Sequence, residues 1–145
     1  MLFMEAREAL HDNKHTRFKK LAGQLKDYPL YPYLLFDELR TRLNRADEQE
    51  ITRFLTRYND LPLGWRLRRS WLYSLARNRQ WAQFLKHYRE PQPVELQCYR
   101  LQARLQTDES KDAVAADALP LWLVGKSQPR ACDKVFKFLD KDGYI

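Results

Sequence analysis

Glycine, cysteine and histidine are scarce in this 145-residue chain, with 4, 2 and 3 residues respectively. So little glycine, with no Asn-Gly or Asp-Gly turn between alternating runs, argues against hairpin-built β structure. Asp142-Gly143 comes only at the very end. No stretch approaches the ~20 apolar residues that a membrane-spanning helix needs. The opening Met-Leu-Phe-Met-Glu-Ala lacks a secretory signal pattern and already reads as helix. The expectation is a cytosolic protein or a mature, processed domain. Two cysteines with no histidine near either cannot build a zinc site alone. Whether Cys98 and Cys132 pair or remain free buried thiols stays open on these grounds.

Hydrophobic mass and positive charge are abundant. Hydrophobic residues make up 44% and aromatics 13%, too rich for a disordered chain, and the length suits one domain with a sizeable core. Lys and Arg number 26 against 19 Asp and Glu, a formal charge of +7. Such a balance favours anionic partners, or simply solvates the outer faces of helices. The densest basic group, Arg66, Arg68 and Arg69, is broken by Leu67. With no block of five like charges, solvation is the expected role.

The apolar residues carry a repeat. Phe18, Leu21, Ala22 and Leu25 follow the i, i+3, i+4, i+7 spacing of one helix face. The pattern returns as Ile51, Phe54, Leu55 and Tyr58, and again as Trp81, Phe84, Leu85 and Tyr88. A fourth copy, Ala115, Ala118, Leu119 and Trp122, is interrupted by Pro120. Copies recur at roughly 30–34-residue intervals, and each is followed by proline: Pro29, Pro62, Pro91 with Pro93, and Pro129. Partner helices lie between them, marked by Phe36, Leu39 and Leu43, by Leu67, Trp71 and Leu75, and by Leu96, Tyr99 and Ala103. A short opening helix carries Phe3, Ala6 and Leu10. Asp47 with Glu50 reads as a capping box, and Ser127 as the cap of a last helix over residues 130–139. The predicted fold is all-α: a right-handed superhelix of stacked antiparallel helical hairpins, tetratricopeptide-like, with repeats of roughly 30–36 residues. Residues 1–145 form one helical-repeat domain in this reading. Its last helix has no partner, so a fragment of a longer chain is expected.

Chemistry is harder to find. The acids are scattered among basic residues on helix surfaces, and no Gly-rich phosphate loop exists. Gly125-Lys126-Ser127 looks like the end of one, but Pro120 stands where the loop needs its first glycine. His11, His15 and His87 have no nucleophile beside them in the sequence, and His15 and His87 are expected on helix exteriors. Trp81 and Trp122 belong to the repeated apolar pattern and are expected in the core. Tyr28, Tyr31, Tyr33 and Trp65 lie at or beside the helix joints, where rings are free to stack on sugars or bases. No catalytic, metal or cofactor residue emerges.

Two strings carry a resemblance: LKDYPLYPYL at residues 25–34 and LWLVGKSQPRACDKVF at residues 121–136. Both resemble the N-terminal α-superhelical domain of the soluble lytic murein transglycosylases of Gram-negative bacteria. The likeness runs from about Phe3 to Leu139, with the middle matched mainly by helical pattern. It implies a periplasmic parent that cleaves peptidoglycan glycan strands and leaves a 1,6-anhydromuramoyl end. In that family the helical ring precedes a lysozyme-like C-terminal catalytic domain. Its catalytic glutamate stands in a Glu-Ser dipeptide, with Gly-Leu-Met-Gln and Ala-Tyr-Asn-Ala-Gly downstream. Glu109-Ser110 is the one Glu-Ser here, neither downstream motif follows, and no catalytic residue carries over. The resemblance also implies a Cys98–Cys132 disulfide, since the family has a matching pair and the periplasm is oxidising. Glycan strands and the catalytic domain of the same parent chain are the implied partners, nucleic acid is not, and Tyr28, Tyr31, Tyr33 and Trp65 become candidate glycan contacts. The repeat taken alone also suits a tetratricopeptide-like protein–protein interaction module.

Overall fold

The computed structural model describes residues 1–107, 109–124 and 127–145. Among them the secondary structure is helical throughout, with no strand. Backbone packing divides the chain into two compact units, Met1–Ser70 and Trp71–Ile145, and the boundary falls inside one helix.

The first unit holds α1 (Leu2–His11), α2 (His15–Gly23), α3 (Tyr31–Arg40), α4 (Glu48–Arg57) and the start of α5 (Pro62–Arg77). Phe3, Ala6, Ala9 and Leu10 form the inner stripe of α1, and Phe18, Leu21 and Ala22 that of α2. Leu25 and Leu34 complete the cluster, so α1 packs on both α2 and α3. The prolines sit where a missing N–H is harmless: Pro32 in the first turn of α3 and Pro62 at the first position of α5. Asp47 caps α4 by accepting from the Gln49 N–H at 3.4 Å. Glu50 does not return the bond as a capping box requires; its carboxylate is held by Arg42 instead.

The second unit contains the rest of α5, then α6 (Trp81–His87), α7 (Val94–Gln106), α8 (Lys111–Trp122), a 3-10 turn at Arg130–Cys132 and α9 (Asp133–Lys141). Its hub is α7, which packs against α6, α8, α9 and the 3-10 turn. Leu101 of α7 meets Val114, Ala115 and Ala118 of α8 and Val135 and Leu139 of α9 in one core. Cys98 and Cys132 are joined, their Cα atoms 4.9 Å apart and both side chains sealed from solvent. The resemblance implied this bridge, and it ties α7 to the turn that starts α9.

Two expectations are corrected here. Pro120 does not interrupt the fourth copy: α8 continues to Trp122, because a proline in the last turn removes only one helical hydrogen bond. Ser127 does not cap the last helix, since the 3-10 turn intervenes and begins after Pro129. Ser110, unremarked as a cap, accepts from the Ala113 N–H at 3.4 Å and starts α8. Gly125 and Lys126 lie outside the described residues.

Three helices end with one closing motif. After α1, Asn13 takes φ 60° and the Lys14 N–H donates to the Ala9 carbonyl at 2.8 Å. After α5, Arg79 takes φ 54° and Gln80 donates to Leu75 at 2.9 Å. After α9, Gly143 takes φ 82° and Tyr144 donates to Leu139 at 2.8 Å. Each is a Schellman closure that satisfies an orphan carbonyl and turns the chain away.

Candidate functional site

The joint between α2 and α3 is a run of tight turns. Tyr28 N–H donates to Leu25, Tyr31 to Tyr28 and Tyr33 to Leu30. This winding turns Tyr28 and Tyr31 onto the first unit's core, where both are half-buried, the Tyr28 ring 5.7 Å from that of Phe3. They anchor the joint. Tyr33 and Trp65 differ, with 41% and 42% of their surfaces exposed.

Tyr33, Phe36 and Arg40 fall on one stripe of α3. The Arg40 guanidinium lies over the buried Phe36 ring at 5.3 Å, and Arg66 of α5 reaches the same ring at 5.0 Å. That second contact brings the first turns of α5, and with them Trp65, beside α3. Two exposed rings and two exposed guanidinium groups thus occur on neighbouring elements of one unit. Aromatic faces stack on sugar rings, and guanidinium groups pair with carboxylates. Of the four candidates, Tyr33 and Trp65 are available for contact, whereas Tyr28 and Tyr31 are largely committed to packing.

Sequence reasoning missed a second surface, at the other end of the chain. Trp122 was expected in the core, yet it is 45% exposed. The reason is its place as the last residue of α8, outside the buried cluster that Val114, Ala115 and Ala118 form with Val135 and Leu139. Its ring meets Phe136 edge-on at 5.2 Å and walls a cleft of about 700 Å³ lined also by Asp133, Lys137, Asp140 and Ile145. The signal was present in the sequence as Trp122 lying just beyond Pro120, but periodicity alone placed it inside.

His87 is the opposite case. Expected outside, it is buried, its ring 4.3 Å from that of Trp71. It lies three residues after Phe84 on the inward stripe of α6, and that spacing was the available clue. His15 is exposed as expected. Trp81 is half-buried, edge-on to Phe84 at 6.1 Å.

Glu109 and Ser110 are structural. Glu109 pairs with the buried Arg104, which also donates to Asp117 at 2.7 Å and so ties α7 to α8. Burial alone lowers the Arg104 pKa, but the hydrogen bonds to Asp117 and Glu109 outweigh it and leave the guanidinium firmly charged. No group of three or more His, Cys, Asp or Glu among the described residues is placed to hold a metal ion. No helix among them is long and apolar enough to cross a membrane.

No family profile matches the chain. The soluble lytic murein transglycosylases of Escherichia coli K12 and Salmonella typhimurium LT2 are each 33% identical to it over 135 residues, 92% of this chain and 21% of theirs. The crystal structure of the 70-kDa soluble lytic transglycosylase of E. coli matches 99% of this chain and 23% of its own, at TM-score 0.89 and 30% identity. An inactive mutant of the lytic transglycosylase Slt from Pseudomonas aeruginosa matches 99% of this chain and 24% of its own, at TM-score 0.87 and 38% identity. The chain therefore spans about a fifth to a quarter of the length of these relatives. The all-α repeat expected from the sequence is the fold these structures share with it. By sequence and by fold, the chain is homologous over nearly its whole length to a segment of these soluble lytic transglycosylases.

Proposed function

We propose that this chain is a non-catalytic scaffold domain of a periplasmic soluble lytic murein transglycosylase. Residues 1–145 act as one N-terminal helical-repeat domain, and a lysozyme-like C-terminal domain of the same parent performs the cleavage that leaves 1,6-anhydromuramoyl ends. The observation that supports this reading is a likeness over 99% of the chain to lytic transglycosylases of which it covers only about a quarter. The scaffold guides glycan strands toward the catalytic domain. Tyr33 and Trp65 offer ring faces to the sugars, while Arg40 and Arg66 meet the lactyl and peptide carboxylates of peptidoglycan. Tyr28 and Tyr31 hold the joint that leads into α3 against the core of the first unit.

Titration of the chain with disaccharide-tetrapeptide muropeptides, followed by tryptophan fluorescence, tests this. A saturable change is expected at low salt and a weaker one at moderate salt, because exposed charges are screened within a Debye length of about 8 Å at physiological ionic strength. Trp65→Ala and Arg66→Ala each weaken binding by about fivefold, the loss of one stacking or charge contact of about 1 kcal/mol. Absence of any muropeptide signal at low salt leaves a purely architectural role. Retention of a protein partner without glycan favours the tetratricopeptide-like interaction module.

A further inference from the structure

Within α3 the carboxylates are already matched: Asp37 pairs with Arg7 at 3.3 Å and Glu38 with Arg42 at 2.6 Å. Arg40 and Arg66 are not. Both guanidinium groups rest on one ring, that of Phe36, and among the described residues no carboxylate pairs with either. Since each lies within 5.3 Å of the same centroid, the two charges are no more than about 10 Å apart. The ring itself is 2% exposed, whereas both arginine side chains are open to solvent. Like charges gathered so closely repel, and the negative face of the ring offsets only part of that repulsion. An arriving anion relieves the rest.

We propose that Arg40 and Arg66 act as one carboxylate clamp organised by the Phe36 ring, and that the clamp takes the peptide stem of a peptidoglycan strand rather than its sugar. This inference rests on the glycan-contact reading and narrows it. The number and spacing of the charges select the stem. A stem offers several carboxylates on one short chain, and its residues advance by at most about 3.6 Å each, so acids up to about three residues apart bridge the two guanidinium groups. A disaccharide stripped of its stem has one carboxylate, on the lactyl group, and once a stem is attached that group is an uncharged amide. The planar guanidinium fork also meets a carboxylate through two parallel hydrogen bonds, which a point charge cannot do. Phe36 is too buried to touch the ligand; it is a positioning residue that fixes where the two forks stand.

Isothermal titration calorimetry of the whole chain at low salt tests this with three ligands. They are a disaccharide-tetrapeptide, the same molecule with its carboxyl groups converted to primary amides, and the disaccharide without a stem. The acid form is expected to bind about tenfold tighter than either of the others. Arg40→Ala and Arg66→Ala are each expected to weaken the acid form about fivefold, erasing most of its advantage over the amide. The double variant is expected to lose little more than either alone, because one fork without the other no longer closes the clamp. Phe36→Leu keeps an apolar side chain in the core and is expected to bring the acid-to-amide ratio below about threefold. Arg40→Lys leaves the core untouched and keeps the charge, and is expected to lower that ratio about threefold, so a folding defect at Phe36 does not decide the outcome. Equal binding of the acid and amide forms overturns the clamp while leaving the glycan-contact reading in place. Equally tight binding of the stripped disaccharide does the same. Additive losses in the double variant also overturn it, in favour of two independent charges. If none of the three ligands binds, the glycan-contact reading fails and the clamp with it.

Discussion

At the residue scale, the three helix closures are not equally comfortable. Gly143 takes a left-handed φ without penalty and Asn13 tolerates it, but Arg79 carries a Cβ into the same region. Its side chain is exposed, so little packing offsets that strain. Arg79→Gly is therefore expected to stabilise the protein by about 0.5–1 kcal/mol, the relief of left-handed strain minus the added chain entropy of glycine. Urea denaturation checks this, and a destabilised variant would show that the Arg79 side chain makes a contact of greater worth. The same scale is where the sequence misled. Residue type places His87 outside, but it follows the inward stripe of α6 into the core; periodicity places Trp122 inside, but it ends α8 and stays 45% exposed.

Elements are joined by charge as well as by apolar contact. Arg42, just after α3, donates to both carboxylate oxygens of Glu38 at 2.6 and 2.8 Å and reaches Glu50 of α4 at 2.8 Å. The bonds to Glu50 and Glu38 hold its guanidinium charged against burial, and the bond from Arg42 holds the Glu50 carboxyl below its ordinary range. A carboxyl whose folded pKa is depressed contributes stability that is present above its unfolded pKa and lost as pH falls through the folded one. Because Glu50 is 37% exposed, solvent screening keeps the contribution to about 0.5–1 kcal/mol. Arg42→Ala is expected to lose about that much at neutral pH and to show a shallower decline of stability between about pH 5 and pH 3. Matching acid limbs in wild type and variant would remove this pairing from the account. Helix positions were legible from spacing, whereas this network was not. The turn that brings Arg42 to Glu50 is specified by packing, and a list of charges does not show which will meet.

For the molecule as a whole, the repeat read from Phe18, Ile51, Trp81 and Ala115 located the helices, because each copy must bury one face against a neighbour. Division into two compact units was not legible, since α5 runs through the boundary without a break in its pattern. The cleft was hidden for a similar reason: Phe136 and Trp122 are ordinary apolar residues until the turns place them together. The disulfide closes a loop with a sequence separation of 34 within the second unit. Its removal by Cys98→Ala with Cys132→Ala is expected to cost about 3–4 kcal/mol on the chain-entropy estimate. Hydrogen exchange should show the loss concentrated in residues 71–145, and equal loss in residues 1–70 would show that the chain unfolds as one cooperative block.

Every sulfhydryl-forming residue of the chain lies in that second unit, at 0% exposure, and the first unit has none. Once the bridge is reduced, a maleimide can reach Cys98 or Cys132 only while the 3-10 turn stands away from α7. Alkylation timed against denaturant is thus an intrinsic clock for that opening. The thiol-free half stays silent in the same tube, and no engineered label is needed to tell the two apart.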